Sequence, residues 1–270
     1  MSHHSDHMLS DGAVLWSQVI LSLPFILAAL GYAAALYRSK RKNKKWSFYR
    51  TLLWFTGVLC AVISVAGPLA QWAHTNFTAH MAGHLLLGML APLLMVFAAP
   101  LTLLFRALPI NYAKKVTKLL RSRFVNVLMD PFTASMLNVG GLWVLYSTSL
   151  YALMHEYLVL HIFVHVHVFL AGYLFTASMI YVDPVSHRRR YTYRAVILTA
   201  ALAFHGILSK YIYSHPPAGV PSRQAEAGGK LMYYGGDAVD LVLIFFLCMH
   251  WYHAARPRSV ERGRETCQTV

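Results

Sequence analysis

Residues 80–100 read HMAGHLLLGMLAPLLMVFAAP, two histidines opening an apolar run that carries no charge. A helix needs about 20 apolar residues to cross a ~30 Å hydrocarbon core, and the run 78–104 supplies them. Runs of similar length recur at 13–37, 48–70, 131–153, 157–181, 193–213 and 236–255. None shows the strict alternation of a membrane strand. The sequence therefore predicts an all-α, polytopic membrane helix bundle with seven transmembrane helices. Of its 270 residues 57% are hydrophobic and only 13% charged, too little polar surface to cover a soluble domain. The membrane domain is expected over 13–256, between a His-rich segment 1–12 and a tail 257–270. The opening SHHSDHMLSDG carries no basic residue and no small-residue cleavage site follows, so the first run reads as a retained helix.

The net charge of +14 invites a nucleic-acid reading, but the positions argue against it. Seven of the 24 Lys and Arg lie in 38–50, six in 106–123, four in 188–194 and four from Arg256 onward. In a seven-span chain all of these fall on one side, leaving Lys210, Arg223 and Lys230 on the other. Basic loops stay cytoplasmic, so the amino terminus is expected outside and the carboxyl terminus in the cytoplasm, with the lipid bilayer and no nucleic acid as partner. Stretch 105–130 places Ile110, Ala113, Val116, Leu119 and Leu120 at helical spacing among basic residues, which predicts an amphipathic helix on the inner leaflet. Stretch 214–236, SHPPAGVPSRQAEAGGKLMYYGG, reads as an outer loop rich in Pro and Gly. Cys60, Cys248 and Cys267 form no CxxC and do not meet at the outer face, which argues against a thiolate chaperone and an outer disulfide.

Most of the 15 histidines choose the face that the basic residues avoid. His80 and His84 are i, i+4 neighbours on one helix face. HIFVH repeats the pattern at His161 and His165. His165 and His205 each lie roughly 12 Å below the outer ends of their helices, at ~1.5 Å per residue. Neutral imidazole is the commonest transition-metal ligand, and bundle sites converge from facing helices. A single HxxxH can equally bond a neighbouring carbonyl; two pairs and His205 at matched depth favour a metal. Imidazole suits copper and zinc, and thioether selects Cu(I). Met81, Met89, Met154 and Met232 fall near the same half, each also readable as core filler. His74 and His155 are expected as access ligands in loops. His167 is nearly opposite His165 on its helix, which makes it a weaker candidate. Should Met1 be removed, the chain starts Ser-His-His, a pattern that can bind Cu(II), although a solvated polar tail is the simpler reading. Asp237 and Asp240 open the last span, where they could pair with Lys210 or orient an imidazole.

The stretch HMAGHLLLGMLAPLLMVFAAPLTLLFRALP resembles the signature of the seven-span CtaG family of cytochrome c oxidase assembly proteins. HIFVH followed by FLAGYLF, the span with His205, and GGDAVDLVL match that family's pattern in order, over most of 15–256. The resemblance implies a non-enzymatic copper metallochaperone of the bacterial plasma (inner) membrane that serves the copper centre of a haem–copper oxidase. It points to His80, His84, His161, His165, His205, Asp237 and Asp240 as the copper site. The expected partners are the oxidase catalytic subunit and an extracytoplasmic copper donor. Two rival readings are a haem-binding electron carrier and a copper transporter. No HExxH motif is present to suggest a metalloprotease.

Overall fold

The computed structural model describes residues 11–41, 45–185 and 188–256, and every regular element among them is helical. The His-rich segment up to residue 10, His187 and the tail with Cys267 lie outside the described residues. Six helices are long and apolar enough to cross a membrane. These are α1 (Asp11–Arg41), α2 (Phe48–Val65), α4 (Phe77–Phe97), α10 (Leu158–Met179), α11 (Tyr191–Ser214) and α12 (Ser222–Ala255). Shorter helices connect them: α3 (Pro68–Ala73), α5 (Pro100–Ala107), α6 (Ile110–Leu120), α7 (Arg123–Leu128) and α9 (Leu150–Glu156). The run 131–147 is α8, with a π-helical turn at Met136–Gly140.

The expected fourth span, 131–153, is thus interrupted. The hydroxyls of Ser147 and Thr148 donate back to the carbonyls of Trp143 and Val144, both at 2.6 Å. Such local bonds compete with helix propagation, and Thr148 is extended. The remaining run is about 26 Å long at ~1.5 Å per residue.

α4 is the central helix. In its apolar window 61% of residues are buried, against 22–33% for the other five, so it is covered by protein while they face outward. α2, α10 and α12 pack on it; α1 bridges α2 and α10, and α11 bridges α12 and α8. Large side chains left exposed on α1, such as Leu15, Trp16, Leu27 and Leu30, are those a bilayer would cover. α4 starts at Asn76, whose Oδ1 accepts the Ala79 N–H. It ends where buried Ala99 adopts a left-handed φ of 53° and Pro100 starts α5.

The α5 start is held from a distance. Asp183, in the α10–α11 connection, accepts the N–H groups of Leu101 and Thr102 at 3.0 and 2.8 Å and the Thr102 hydroxyl at 2.6 Å. Asp183→Ala should cost about 1–2 kcal/mol by loss of this cap, read as a lowered unfolding temperature in detergent.

One end of the bundle gathers the starts of α4, α10 and α12 and most histidines; the other gathers the basic loops. At the basic end Arg106 donates to the Lys45 carbonyl and lies 5.1 Å over the Trp46 ring. The amphipathic helix expected over 105–130 is present as α6, continued by α7. None of its residues is buried, while Ala113, Val116 and Leu120 share a half-covered face.

The 214–236 loop is a correction. Only 215–221 is loop; the rest is the first three turns and more of α12. Between Pro221 and Pro257 no proline interrupts the chain, and Gln224, Ala225, Glu226 and Ala227 favour helix. The glycines that suggested a loop are packing positions. A β-carbon at Gly229 would lie 2.8 Å from the Ser209 carbonyl oxygen of α11, and one at Gly228 2.7 Å from the Phe77 ring of α4.

Candidate metal centre

The site begins with a helix crossing. A β-carbon on Gly172 of α10 would overlap the Gly88 carbonyl oxygen of α4, inside a π-helical turn at Leu86–Leu90. Backbones in such close contact place the preceding turns of both helices side by side. Those turns carry His80 and His84 on α4 and His161 and His165 on α10. Across the seam the His80 and His165 ring centroids are 6.5 Å apart and perpendicular; within α10 those of His161 and His165 are 4.2 Å apart. The two sequence-predicted pairs therefore meet.

Two further histidines complete the group, one in a loop as expected and the other, His155, in a helix instead. His74, just after α3, stacks on His161 at 5.3 Å and lies 6.1 Å from His155 at the end of α9. His155 is in turn 6.3 Å from His80. Burial, then the like charge of His155, hold the His74 pKa below the ordinary histidine value, so this imidazole is neutral at pH 7.

Hydrogen bonds decide which nitrogens are free. Nδ1–H of His165 donates to the His161 carbonyl at 2.9 Å, and Nδ1–H of His155 to the Tyr151 carbonyl at 2.9 Å. A carbonyl only accepts, so in both rings Nε2 keeps its lone pair. His80 Nε2 shares a 3.1 Å hydrogen bond with the Tyr146 hydroxyl. Three buried ring nitrogens have no partner: Nε2 of His84, Nδ1 of His161 and Nε2 of His205. Buried polar atoms without partners are uncommon, and an aromatic nitrogen of this kind is a lone pair or N–H with nowhere to go.

His205 is not among the rings in contact with this cluster. It abuts Gly236, where a β-carbon would lie 2.6 Å from its Cε1, and it is in electrostatic range of His84 and Asp237. Asp240 is buried, with Oδ1 unpartnered. The expected Lys210 ion pair with Asp237 or Asp240 is absent: Lys210 is exposed and its Nζ sits 5.3 Å over the Tyr233 ring, where lipid-facing amine and ring satisfy each other. Met81, Met154 and Met232 are fully buried core side chains. His167 is engaged elsewhere: its Nε2–H donates at 3.0 Å to the Leu137 carbonyl in the π-helical turn of α8, which also accepts the Gly141 N–H.

Among the described residues no three His, Cys, Asp or Glu side chains are arranged to hold a metal ion. Imidazole nitrogens bind a metal such as zinc at ~2.0–2.1 Å, so rings at these separations must rotate to share one. The donor set fits a borderline or soft cation nonetheless: imidazoles, some with unpartnered nitrogens and two oriented by backbone carbonyls. Tyr146 and Tyr151 were not marked by the sequence. Tyr151 lies 5.1 Å from His80, and Tyr146 lies 6.1 Å from His80 and 6.3 Å from His84; they wall the cluster without any spacing signal of their own.

A cavity of about 370 Å³ leads to the group, lined by His74, His155, Glu156, Tyr151 and Gln224. Gln224 accepts the Phe77 N–H at 2.8 Å, tying α12 to the start of α4.

Fold and site together define a polytopic, all-helical membrane protein with a cluster of imidazoles near one end of its bundle. Residues 30–254 match the family described as cytochrome c oxidase caa3 assembly factor (Caa3_CtaG), and the chain belongs to that family. It is similar to an uncharacterized protein of Mycobacterium bovis and one of Mycobacterium tuberculosis, each 32% identical over 187 residues, and to one of Mycobacterium leprae, 31% identical over 187 residues. Each alignment covers 67% of this chain and 28% of the relative, so the matched region spans well under half of those proteins. No solved structure matches.

Proposed function

We propose that this chain carries copper as cargo on His80, His84, His161 and His165, with His205, Asp237 and Asp240 beside them. It hands that copper to the catalytic subunit of a haem–copper oxidase in a bacterial plasma membrane. In this reading α8 is the seventh crossing, the histidine end faces outward and the basic end faces the cytoplasm. The supporting observation is the meeting of His80 with His165 across the Gly88–Gly172 contact, next to ring nitrogens that nothing else engages. Membership of an oxidase assembly family supports that destination.

The chemistry is ligand exchange. Glu156, His74 and His155 receive a cation at the outer cavity, which an extracytoplasmic donor would supply. Each step swaps one imidazole for the next, and no bond other than a metal–ligand bond changes. The sealed methionines do not serve as the access route. Protons compete for the same lone pairs, so copper retention falls as pH drops below about 6.

Metal analysis of the purified whole chain tests this reading. His80→Ala/His165→Ala should lower bound copper at least about tenfold, in the range known for disrupted metal sites, with helical circular dichroism retained. Equal copper in the double variant, or a Soret band in the purified wild type, would overturn it.

A further inference from the structure

A large cavity lies at the opposite end from the histidines. It has a volume of about 680 Å³, within the ~300–1,000 Å³ of ligand pockets. Its walls are the last two turns of α10 on one side and α6–α7 on the other. Leu174 and Ala177 of α10, Leu120 of α6 and Val125 of α7 make it apolar. Tyr173 and Arg188 add polarity at the same cavity.

Two acidic and two basic side chains line it. Both carboxylates are engaged. Asp183 caps α5 with both oxygens. Asp130 pairs with Arg189 at 2.7 Å and accepts the Phe132 N–H and the Tyr193 hydroxyl. Arg188 forms no ion pair among the described residues, and the Tyr173 hydroxyl makes no hydrogen bond there. Behind the wall lies Arg194, 2% exposed and held between the Tyr181 and Tyr191 rings at 4.3 and 4.4 Å. It donates to the Met179 carbonyl at 2.7 Å, but among the described residues its Nε has no partner and no carboxylate pairs with it. A buried cation without a counter-ion is costly, and the Tyr181 ring on which it stacks lines the cavity. Outside the cavity, exposed Lys114, Lys115 and Lys118 of α6 add positive charge to this end of the bundle.

An occupant must therefore be anionic at one end and apolar at the other. The apolar part is set by α10 residues inside a membrane-spanning helix, which a free anion would not contact. α6 is amphipathic and without a buried residue, as an interfacial helix is. We propose that this cleft binds one anionic glycerophospholipid, its phosphate recognised by Arg188 and the Tyr173 hydroxyl and an acyl chain laid along Leu174 and Ala177. The bound lipid supplies the negative charge that Arg188 and Arg194 lack.

The test uses the whole chain reconstituted in phosphatidylcholine vesicles doped with phosphatidylglycerol, then extracted and analysed for retained lipid by native mass spectrometry. Wild type should enrich phosphatidylglycerol about fivefold over its bulk share, on the scale of one basic residue at a membrane surface. Arg188→Gln combined with Tyr173→Phe, both free of hydrogen bonds that hold the fold, should return the ratio to the bulk value. Ala177→Trp should abolish retention by filling the cleft. No enrichment in the wild type, or enrichment unchanged by Arg188→Gln/Tyr173→Phe, would overturn the proposal. Copper content should be the same in that double variant, which separates this site from the histidine cluster.

Discussion

Gly172→Ala, the addition of one methyl group, should destabilise the protein by about 2–3 kcal/mol, the scale of overpacking a tight contact. The new β-carbon would overlap the Gly88 carbonyl oxygen, which is backbone and cannot swing aside. α4 and α10 must then part, and the His80–His165 approach is lost with them. Gly31→Ala is the matched control. It makes the same change in α1, where no atom lies within 4 Å of the added carbon. There the helix should gain about 0.5–1 kcal/mol, the usual difference between alanine and glycine in a helix interior. Thermal unfolding of the purified variants in one detergent compares them, and copper content reports on the cluster. Equal unfolding temperatures for the two variants would mean that the Gly88–Gly172 contact does not set the helix spacing.

That contact shows why part of the site was hidden in the sequence. Histidines at i and i+4 on two apolar helices announce themselves, because a titratable ring in a span needs a reason. Gly88 and Gly172 do not: a glycine in an apolar run is compatible with any packing, and only the partner backbone makes it obligatory. Tyr146 and Tyr151 are silent for a similar reason. Their role is to wall His80 from across the bundle, and no local spacing encodes a neighbour 66 or 71 positions away. His167 misleads in the other direction. It has the residue type of a ligand, and its Nε2 goes to the Leu137 carbonyl in a π-helical turn that the sequence did not mark.

The fold was more legible where a segment is apolar throughout. Six long helices lie where apolar runs were found, although the α12 start was missed because Gly228 and Gly229 were weighed as loop formers. Both press against side chains or backbone of α4 and α11, a use of glycine that resembles its use in turns only in composition. The fourth run failed to continue because Ser147 and Thr148 turn their hydroxyls onto their own helix. Hydropathy counts neither residue as a breaker.

The unpartnered nitrogens lead to the second large effect. His84 and His205 are each 6% exposed, and neither Nε2 has a hydrogen-bond partner. An unsatisfied buried polar group costs about 1–3 kcal/mol. His84→Leu and His205→Leu remove that group, so each copper-free variant should be more stable than copper-free wild type by up to about that amount. On the proposed role the order reverses when copper is added. A ligand bound only by the folded chain stabilises it by about 2.7 kcal/mol at a hundredfold excess over its dissociation constant. Wild type should therefore unfold at a higher temperature with copper than without, and the double leucine variant should show little of that shift. Differential scanning calorimetry with chelator and with copper separates the two contributions. A double variant that is less stable without copper yet keeps the full copper shift would mean that these two rings serve packing alone, since the cost of an idle nitrogen and its use as a ligand are the same property seen with and without the metal.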